Sequence, residues 1–276
     1  MDKESYFINN ISGGSKKYIG DDGVLVDGYI YTQDTFFEDV HFKTSWMTLR
    51  QIAKKAVTVN ISDAYAMNGI PKYALLSISI PKNYTKSQID ELIDGFKDGA
   101  KEYGFEYIGG DTISFSKLTI TLTIISKPSR EILKRSGIKK GNLLAYSGKI
   151  GNTKKDLKKL LANQSIKKDS KMFSPTLNPK FIGSIARFLS GGMDISDGLG
   201  SDLERLAKIN NIGFRFFKTI KKESLCSGEE YELLFGFDRK YKKSILSIAK
   251  RYKIKINIFA KAIRGRYKSR CKSHHF

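Results

Sequence analysis

Apolar and polar residues alternate along the first half of the chain with two different periods. A spacing of three to four residues, typical of helices, predicts helices over residues 45–67 and 85–104, and Thr85 is placed to cap the second. A period of two, typical of strands, covers residues 28–34, 73–80, 105–108 and 118–125. In the last of these strands threonines alternate with aliphatic residues, so we expect one of its faces to contact solvent.

A second alternating series begins after residues 137–141, a polar segment that contains two glycines. It predicts strands over residues 142–147, 192–195, 213–217, 231–237 and 254–260. It predicts helices over residues 153–163, 180–190, 199–210 and 239–252. Residues 167–179 contain two prolines and are expected to form an irregular surface loop. The pattern therefore favours an α/β (α+β) fold with an N-terminal domain over residues 1–136 and a C-terminal α/β domain over residues 137–276.

The net charge of +21 is confined to the second half of the chain. Residues 1–135 contain 17 basic and 17 acidic side chains, whereas residues 136–276 contain 32 and 11. Such an excess is compatible with solvated faces of amphipathic helices, with a surface that attracts phosphorylated ligands, or with a nucleic-acid-binding protein. The last alternative leaves the acidic clusters described below unexplained, so we do not expect a nucleic-acid partner.

Composition limits the compartment and the redox state that we expect. The 276 residues are 40% hydrophobic, which is enough for one large or two ordinary cores, yet no apolar stretch approaches the ~18 residues of a membrane span. The first ten residues do not resemble a secretory leader, so we expect a cytoplasmic protein without a membrane partner. Cys226 and Cys271 are accordingly expected to be free thiols.

Acidic residues recur beside glycines at the predicted turns and strand ends. Four such segments contain residues 20–22, 32–35, 109–112 and 193–198, and Asp63 adds a carboxylate on a predicted helix. Any one of them could be an ordinary turn or helix cap. Crowded carboxylates are costly without a cation, however, and oxygen-only ligands favour a hard ion such as Mg²⁺. The repetition predicts a multi-metal site that binds phosphate groups.

Several familiar catalytic motifs are missing. The sequence contains no G-x-x-x-x-G-K-[ST] loop, no protein-kinase signature, no cysteine and histidine spacing for zinc and no convincing Ser-His-Asp set. A nucleotide would therefore need another kind of binding site.

Seven segments, taken together, resemble the thiamine-monophosphate kinase family. They are residues 20–22, 32–35 with His41-Phe42, 59–67, 109–112, 135–137, 194–199 and 228–233. Each is weak alone, but they follow the family's order over almost the whole chain. The wider superfamily, which includes aminoimidazole ribonucleotide synthetase and selenophosphate synthetase, shares the architecture and the use of ATP.

The resemblance implies an ATP- and Mg²⁺-dependent kinase that phosphorylates thiamine monophosphate. It also implies a homodimer whose N-terminal mixed sheets form a barrel. The implied metal ligands are Asp22, Thr32, Gln33, Asp34, Asp63, Asp111, Asp194 and Asp197. The implied ATP contacts are Gly110, Asp111, Arg135 and Ser196, and the implied substrate contacts are His41 and Glu229.

Ordinary structural roles remain open for the auxiliary residues. His41 could be a hydrogen-bonded strand-end histidine, Arg135 a solvated turn residue, and Glu229 and Glu230 solvated charges. The chain also departs from the family pattern. Gln33 replaces a hydroxyl residue, Glu230 replaces an aspartate, and Ser273 stands where an aromatic usually stacks on the substrate, before His275-Phe276. Tyr267 or His274 could provide another stack.

Another ATP-dependent member of the superfamily is the second function left open. A selenophosphate synthetase would need a reactive cysteine in its glycine-rich N-terminal segment, and residues 12–16 contain glycines and a lysine but no cysteine.

Overall fold

The protein is described by a computed structural model that covers residues 3–11 and 18–271. Its first sheet contains five strands in the order β1-β2-β5-β3-β4. They are β1 (Val24–Val26), β2 (Tyr29–Phe37), β3 (Gly69–Pro81), β4 (Glu106–Phe115) and β5 (Thr119–Pro128). Only the β3–β4 pair is parallel, so the predicted mixed sheet is confirmed.

Three helices belong to this part of the chain: α1 (Lys3–Ile11), α2 (Leu49–Ala66) and α3 (Lys86–Tyr103). Thr48 and Thr85 begin α2 and α3 with capping boxes, and Gly104 ends α3 in the left-handed conformation (φ 70°). α2 packs against β2, β3 and β5, and α3 covers α2. The aliphatic residues of β5 are buried beneath α2 while its threonines are half-buried on the other face, as the alternation predicts.

The second sheet also contains five strands, in the order β7-β9-β6-β10-β8, and every pair is antiparallel. The strands are β6 (Leu143–Ser147), β7 (Leu189–Asp194), β8 (Gly213–Phe216), β9 (Leu233–Phe237) and β10 (Ile256–Ile263). The helices are α4 (Asn152–Leu161), α5 (Pro179–Ile185), α6 (Leu199–Asn210), α7 (Lys222–Leu225) and α8 (Lys242–Arg251), with 3₁₀ turns at Ala186–Phe188 and Arg239–Tyr241.

Two sheets with flanking helices confirm a mixed α/β chain. Buried side chains of both sheets, for example Leu122 of β5 and Phe235 of β9, belong to one continuous apolar cluster. The division into domains at residue 137 and the dimer barrel stay predictions.

Several boundaries differ from the sequence prediction. The helix expected over residues 180–190 ends at Ile185, and β7 begins at Leu189 rather than at residue 192. The pattern also did not indicate α1, β1 or α7. Of these, β1 and α7 span only three and four residues, which is too short to show a period. The expectation of free thiols is wrong for this structure, in which Cys226 and Cys271 form a disulfide. The tail folds back along α6 and brings Cys271 to the chain just after α7.

Among the described residues, no helix is long and apolar enough to cross a membrane.

Candidate active site

Three carboxylates from distant parts of the sequence meet where α2 approaches the end of β7. Asp22 lies in the loop before β1, Asp63 on α2, and Asp194 is the last residue of β7. One oxygen atom from each lies within 4.8 Å of the others. We call these three residues the carboxylate group. Their convergence is what the repeated acidic motifs predicted.

Asp194 is a buried member of the carboxylate group. It is 3% exposed, and the Ser62 hydroxyl donates a hydrogen bond of 2.6 Å to its Oδ2. Its Oδ1 is buried and has no hydrogen-bond partner in the part of the chain that the structure describes. A buried carboxylate oxygen is costly to leave without a partner, so this atom is available to a cation.

Arg135 places a positive charge beside the carboxylate group. Its Nε and one terminal nitrogen donate to Asp22 Oδ1 at 3.0 and 2.5 Å, and its backbone N–H donates to Asp21 at 2.8 Å. The side chains of Arg135 and Asp22 are 18% and 2% exposed. Arg135 is therefore not a solvated turn residue. Its guanidinium is of the kind that pairs with phosphate oxygens as well as with carboxylates.

Burial raises the pKa of all three carboxyl groups. It raises the pKa of Asp22 to about 7 and that of Asp194 to about 6, and that of Asp63 lies well above its ordinary value. Neighbouring carboxylates raise each pKa further, whereas the positive charge of Arg135 lowers it. The three groups can therefore be ionised together only at a considerable cost unless a cation is added. Their oxygen-only, anionic donor set fits Mg²⁺.

Thr32 and Asp34 lie on the same face of β2 and are held by Asn60 of α2. The backbone N–H of Asp34 donates to Asn60 Oδ1 at 2.8 Å, and the Thr32 hydroxyl donates to the Asn60 carbonyl at 3.4 Å. The charge of Asp34 also raises the pKa of Asp63 and of Asp194. Asp34 thus borders the carboxylate group.

Gln33 and Asp111 lie on the opposite face of the first sheet. Gln33 accepts a hydrogen bond of 2.6 Å from Thr123 on that face. Asp111 stands beside Ser77 and Thr121 in a surface groove of about 240 Å³. Asp34 and Gly110 lie in the same row of the sheet register but three inter-strand steps apart, or roughly 14 Å at the usual strand spacing. The structure of a single chain therefore does not bring Gln33, Gly110 or Asp111 to the carboxylate group, and their roles stay predictions.

Gly110 has a structural reason to be glycine. A Cβ atom at this position would overlap the carbonyl oxygen of Leu76 on the neighbouring strand. Sheet geometry alone thus accounts for this residue.

Ser196 and Asp197 follow Asp194 in the turn that leads into α6. Arg205 of α6 forms ion pairs with Asp197 and with the buried Asp202, the latter at 3.0 Å. The Ser196 carbonyl accepts a hydrogen bond of 2.6 Å from the backbone N–H of Glu229. The turn therefore connects the carboxylate group to one of the predicted substrate contacts.

Glu229 and His41 flank a buried lysine that the sequence did not indicate. Lys55 Nζ donates to Glu229 Oε2 at 2.8 Å and lies 5.4 Å from the centre of the Phe36 ring. The His41 ring stacks on Phe36 at 5.5 Å, and its Nδ1 accepts from the backbone N–H of Phe37. Neither His41 nor Glu229 is isolated at the surface.

Glu230 is fully buried and is not a solvated charge. Its Oε1 accepts hydrogen bonds from the Thr153 and Ser227 hydroxyls at 2.8 and 2.7 Å and from the backbone of Gly151. Lys171, from the irregular loop, lies 3.5 Å from the other oxygen. This network anchors the turn that carries Glu229.

Lys55, Arg205 and Lys171 were missed because a lysine or arginine is usually solvated. A sequence feature could have indicated Lys55, since it lies three residues after Ile52 and four before Val59 on the buried face of α2. Of the tail residues, Ser273, His274 and His275-Phe276 lie outside the described residues. Tyr267 packs edge-on against Phe214, and both rings lie against a further apolar cluster that contains Leu203 and Phe259.

Comparisons with known proteins agree with this architecture. Residues 20–127 match the family described as AIR synthase related protein, N-terminal domain. A thiamine-monophosphate kinase from Bacillus subtilis (strain 168) is 32% identical over 246 residues, covering 78% of this chain and 75% of that protein. The enzyme of the same name from Leptospira interrogans is 33% identical over 232 residues, covering 76% and 75%.

Solved structures share the fold over nearly the whole length. The structure of AaThiL complexed with AMPPCP and TMP superposes with a TM-score of 0.86 at 24% identity, covering 99% of this chain and 97% of that one. The hydrogenase maturation protein HypE in complex with ATP superposes with a TM-score of 0.71 at 13% identity, covering 87% and 78%.

Residues 20–127 thus form an AIR synthase related N-terminal domain, and the whole chain shares its fold with AaThiL. Within that class, the identity to curated relatives over three quarters of their length is decisive: the chain belongs to the thiamine-monophosphate kinase family.

Proposed function

We propose that this chain transfers the γ-phosphoryl group of ATP to thiamine monophosphate, giving thiamine diphosphate and ADP. Membership of the thiamine-monophosphate kinase family supports the proposal. The observation that carries it is the buried carboxylate group with Arg135 beside it, because this arrangement suits two phosphate-bearing molecules whose charges must be neutralised together.

The chemical step requires no protein nucleophile. A phosphate oxygen of thiamine monophosphate attacks the γ-phosphorus in line with the bond to the β,γ-bridging oxygen. That bond breaks, ADP leaves with the electron pair, and a new phosphoanhydride bond joins the two phosphates of the product. The protein contributes position and charge.

The carboxylate group would hold Mg²⁺ together with Asp34, Thr32 and Asp197. When bound, the metal ions supply positive charge that screens the ATP phosphates and the acceptor phosphate from each other. Gln33 and Asp111 are further proposed ligands, although in one chain their side chains lie on the other face of the sheet. We assign Arg135, Ser196, Gly110 and Asp111 to ATP.

His41 and Glu229 are the proposed contacts to the acceptor. Tyr231 supports this arrangement, because burial raises the pKa of its hydroxyl group well above the ordinary value and the charges of Glu229, Asp34 and Asp194 raise that pKa further. The acceptor contacts therefore lie close to the carboxylates that would hold the metal, as transfer between two bound phosphates requires.

We also propose a homodimer formed through the exposed face of the first sheet. Strand β4 is exposed along nearly its whole length, and Ile113 and Phe115 are 59% and 54% exposed. Such side chains on an edge strand favour pairing with a second copy. Light scattering at micromolar concentration should give the mass of a dimer, and a monomer would contradict this part of the proposal.

A cytoplasmic location is also proposed.

Release of ADP in a coupled assay tests the function. Turnover should require Mg²⁺ and thiamine monophosphate, and free thiamine should be a poor acceptor because it lacks the attacking phosphate. Turnover with an aminoimidazole precursor or selenide, and none with thiamine monophosphate, would favour another member of the superfamily.

A further inference from the structure

Lys55 is the buried cation of the acceptor side of the site. Its side chain is 0% exposed, and its ammonium group forms an ion pair of 2.8 Å with Glu229, whose side chain is 23% exposed. The two residues are 174 positions apart in the sequence. A buried ammonium group is tolerated only when an anion or several acceptors accompany it, so the position of Glu229 is tied to that of α2.

The backbone that carries Glu229 needs such an anchor. Glu229 and Tyr231 both adopt left-handed conformations, with φ of 54° and 49°. This region is unfavourable for residues other than glycine and persists only when the surroundings enforce it. Hydrogen bonds from the backbone N–H groups to Ser196 and Ile195 fix the main chain, and Lys55 fixes the carboxylate itself.

Lys55 also joins the two proposed acceptor contacts. Its ammonium group lies over the Phe36 ring, and the His41 ring stacks on the same Phe36. The ammonium group also forms the ion pair with Glu229. His41 follows β2 of the first sheet, whereas Glu229 precedes β9 of the second sheet. Lys55 is thus the contact through which α2 sets their separation.

The hydrogen bonding of Glu229 indicates what it could recognise. Lys55 uses Oε2, while Oε1 makes no hydrogen bond with the part of the chain that the structure describes. The ion pair directs only one carboxylate oxygen of Glu229 inward, so the other, partly exposed oxygen suits an N–H donor. An amino-substituted nitrogen heterocycle next to an aromatic pair has that chemistry.

We propose that Lys55 is a positioning residue for the acceptor, which holds the Glu229 carboxylate so that its second oxygen accepts a hydrogen bond from the acceptor's nitrogen heterocycle. This inference rests on the proposed function, since it assumes that Glu229 faces the acceptor. It assigns no contact between Lys55 and the acceptor, and none between Lys55 and ATP.

The neighbouring residue offers a matched control. Lys54 lies on the same helix and forms an ion pair of 2.7 Å with Glu102, but the two side chains are 38% and 46% exposed. Lys54→Met therefore removes a lysine ion pair from α2 at the surface, where such pairs contribute little. Lys55→Met makes the same chemical change at the buried pair.

The experiment measures KM and kcat for thiamine monophosphate at saturating ATP, and KM for ATP at saturating thiamine monophosphate. Calorimetric binding of thiamine monophosphate in the presence of a non-hydrolysable ATP analogue gives a second readout without turnover. We expect Lys55→Met to raise the acceptor KM and Kd at least tenfold, and to change the ATP KM less than twofold. Lys54→Met should match the unchanged protein in all of these quantities.

A double variant separates positioning from a loss of folding. Lys55→Met with Glu229→Gln buries no unpaired charge, so it should fold even if Lys55→Met does not. If Lys55 acts through Glu229, the double variant should have the same acceptor KM and Kd as Glu229→Gln alone. If the two substitutions instead raise the acceptor KM by factors that multiply in the double variant, the inference is overturned. An unchanged acceptor KM in Lys55→Met, or an equal rise in its ATP KM, would also overturn it. Absence of turnover with thiamine monophosphate in the unchanged protein would refute the proposed function instead.

Discussion

Replacement of Asp194 by asparagine distinguishes a metal ligand from a structural carboxylate. The substitution keeps the shape of the side chain and an oxygen that can accept the Ser62 hydrogen bond, but it removes the charge. Within the carboxylate group, oxygen atoms lie within 4.8 Å of one another. Two unit charges at that distance repel by about 3 kcal/mol at an effective dielectric constant of about 20.

This repulsion sets the expected change in the free energy of unfolding of the metal-free protein. Arg135 relieves part of this repulsion, but burial and the neighbouring carboxylates still raise the pKa of Asp194 to about 6, so the group is ionised at pH 8 at a cost. We therefore expect Asp194→Asn to increase the metal-free free energy of unfolding by about 1–3 kcal/mol at pH 8. For a chain of 276 residues this corresponds to a rise of roughly 2–5 °C in Tm.

The expected effect on activity has the opposite sign. A lost metal ligand should cost several kcal/mol of transition-state stabilisation, which is about a thousandfold or more in turnover. A more stable but inactive variant is thus the signature of a ligand carboxylate. A residue that merely holds a turn would give the reverse, since its loss would lower the stability and leave turnover nearly intact.

The assay combines calorimetry without ligand, calorimetry across a Mg²⁺ titration and coupled ADP release. Asp98→Asn is the control, because Asp98 pairs with Arg50 at 2.7 Å on the surface and its loss should change the stability by no more than about 0.5 kcal/mol. In Asp194→Asn, the Mg²⁺-dependent rise in Tm should be largely lost. A lower metal-free Tm together with unchanged turnover would refute the assignment of Asp194 as a ligand.

Three further predictions follow from the same structure. Because the pKa of Asp22 is raised from 3.8 to about 7, the folded state retains its proton as the unfolded state loses one, so the metal-free Tm should fall between about pH 4 and pH 7; a rising Tm over this range would contradict the raised value. Reduction of the Cys226–Cys271 disulfide, which spans 45 residues, should cost about 4 kcal/mol and roughly 7 °C in Tm, and a thiol assay of the oxidised, folded protein that finds both thiols free would contradict the pairing. Asp111→Asn should leave the Mg²⁺-dependent rise in Tm unchanged without nucleotide, and a loss as large as that in Asp194→Asn would contradict the separation of Asp111 from the carboxylate group.

Much of the fold could be predicted because local patterns and tertiary structure agree. The capped helix that begins after Thr85 and ends at Gly104 has its caps at both predicted ends. The alternation of β5 predicted its half-buried threonine face. β7 begins earlier than predicted because Leu189 and Gly191 pair with Phe237 and Gly236 of β9, a tertiary contact that the local sequence pattern does not show.

The acidic part of the site and Arg135 were predictable, whereas the supporting cations Lys55, Arg205 and Lys171 were not. Asp22, Asp63 and Asp194 stand in motifs whose order resembles that of a known family, so their convergence could be expected. The spacing of Lys55 from Ile52 and Val59 places it on the buried face of α2, but only the tertiary structure shows its partner, because Glu229 precedes β9 and is 174 positions away in the sequence. The strand register determines on which face of the first sheet each side chain lies. Gln33 and Asp34 are adjacent in sequence but point to opposite sides of β2.

Transfer of label from γ-³³P-labelled ATP to thiamine monophosphate tests the proposed function most directly. The account predicts one labelled thiamine diphosphate for each ADP formed, with both products absent when Mg²⁺ is chelated. Label that appears in inorganic phosphate while thiamine monophosphate stays unchanged, or a product formed equally well from free thiamine, would contradict it.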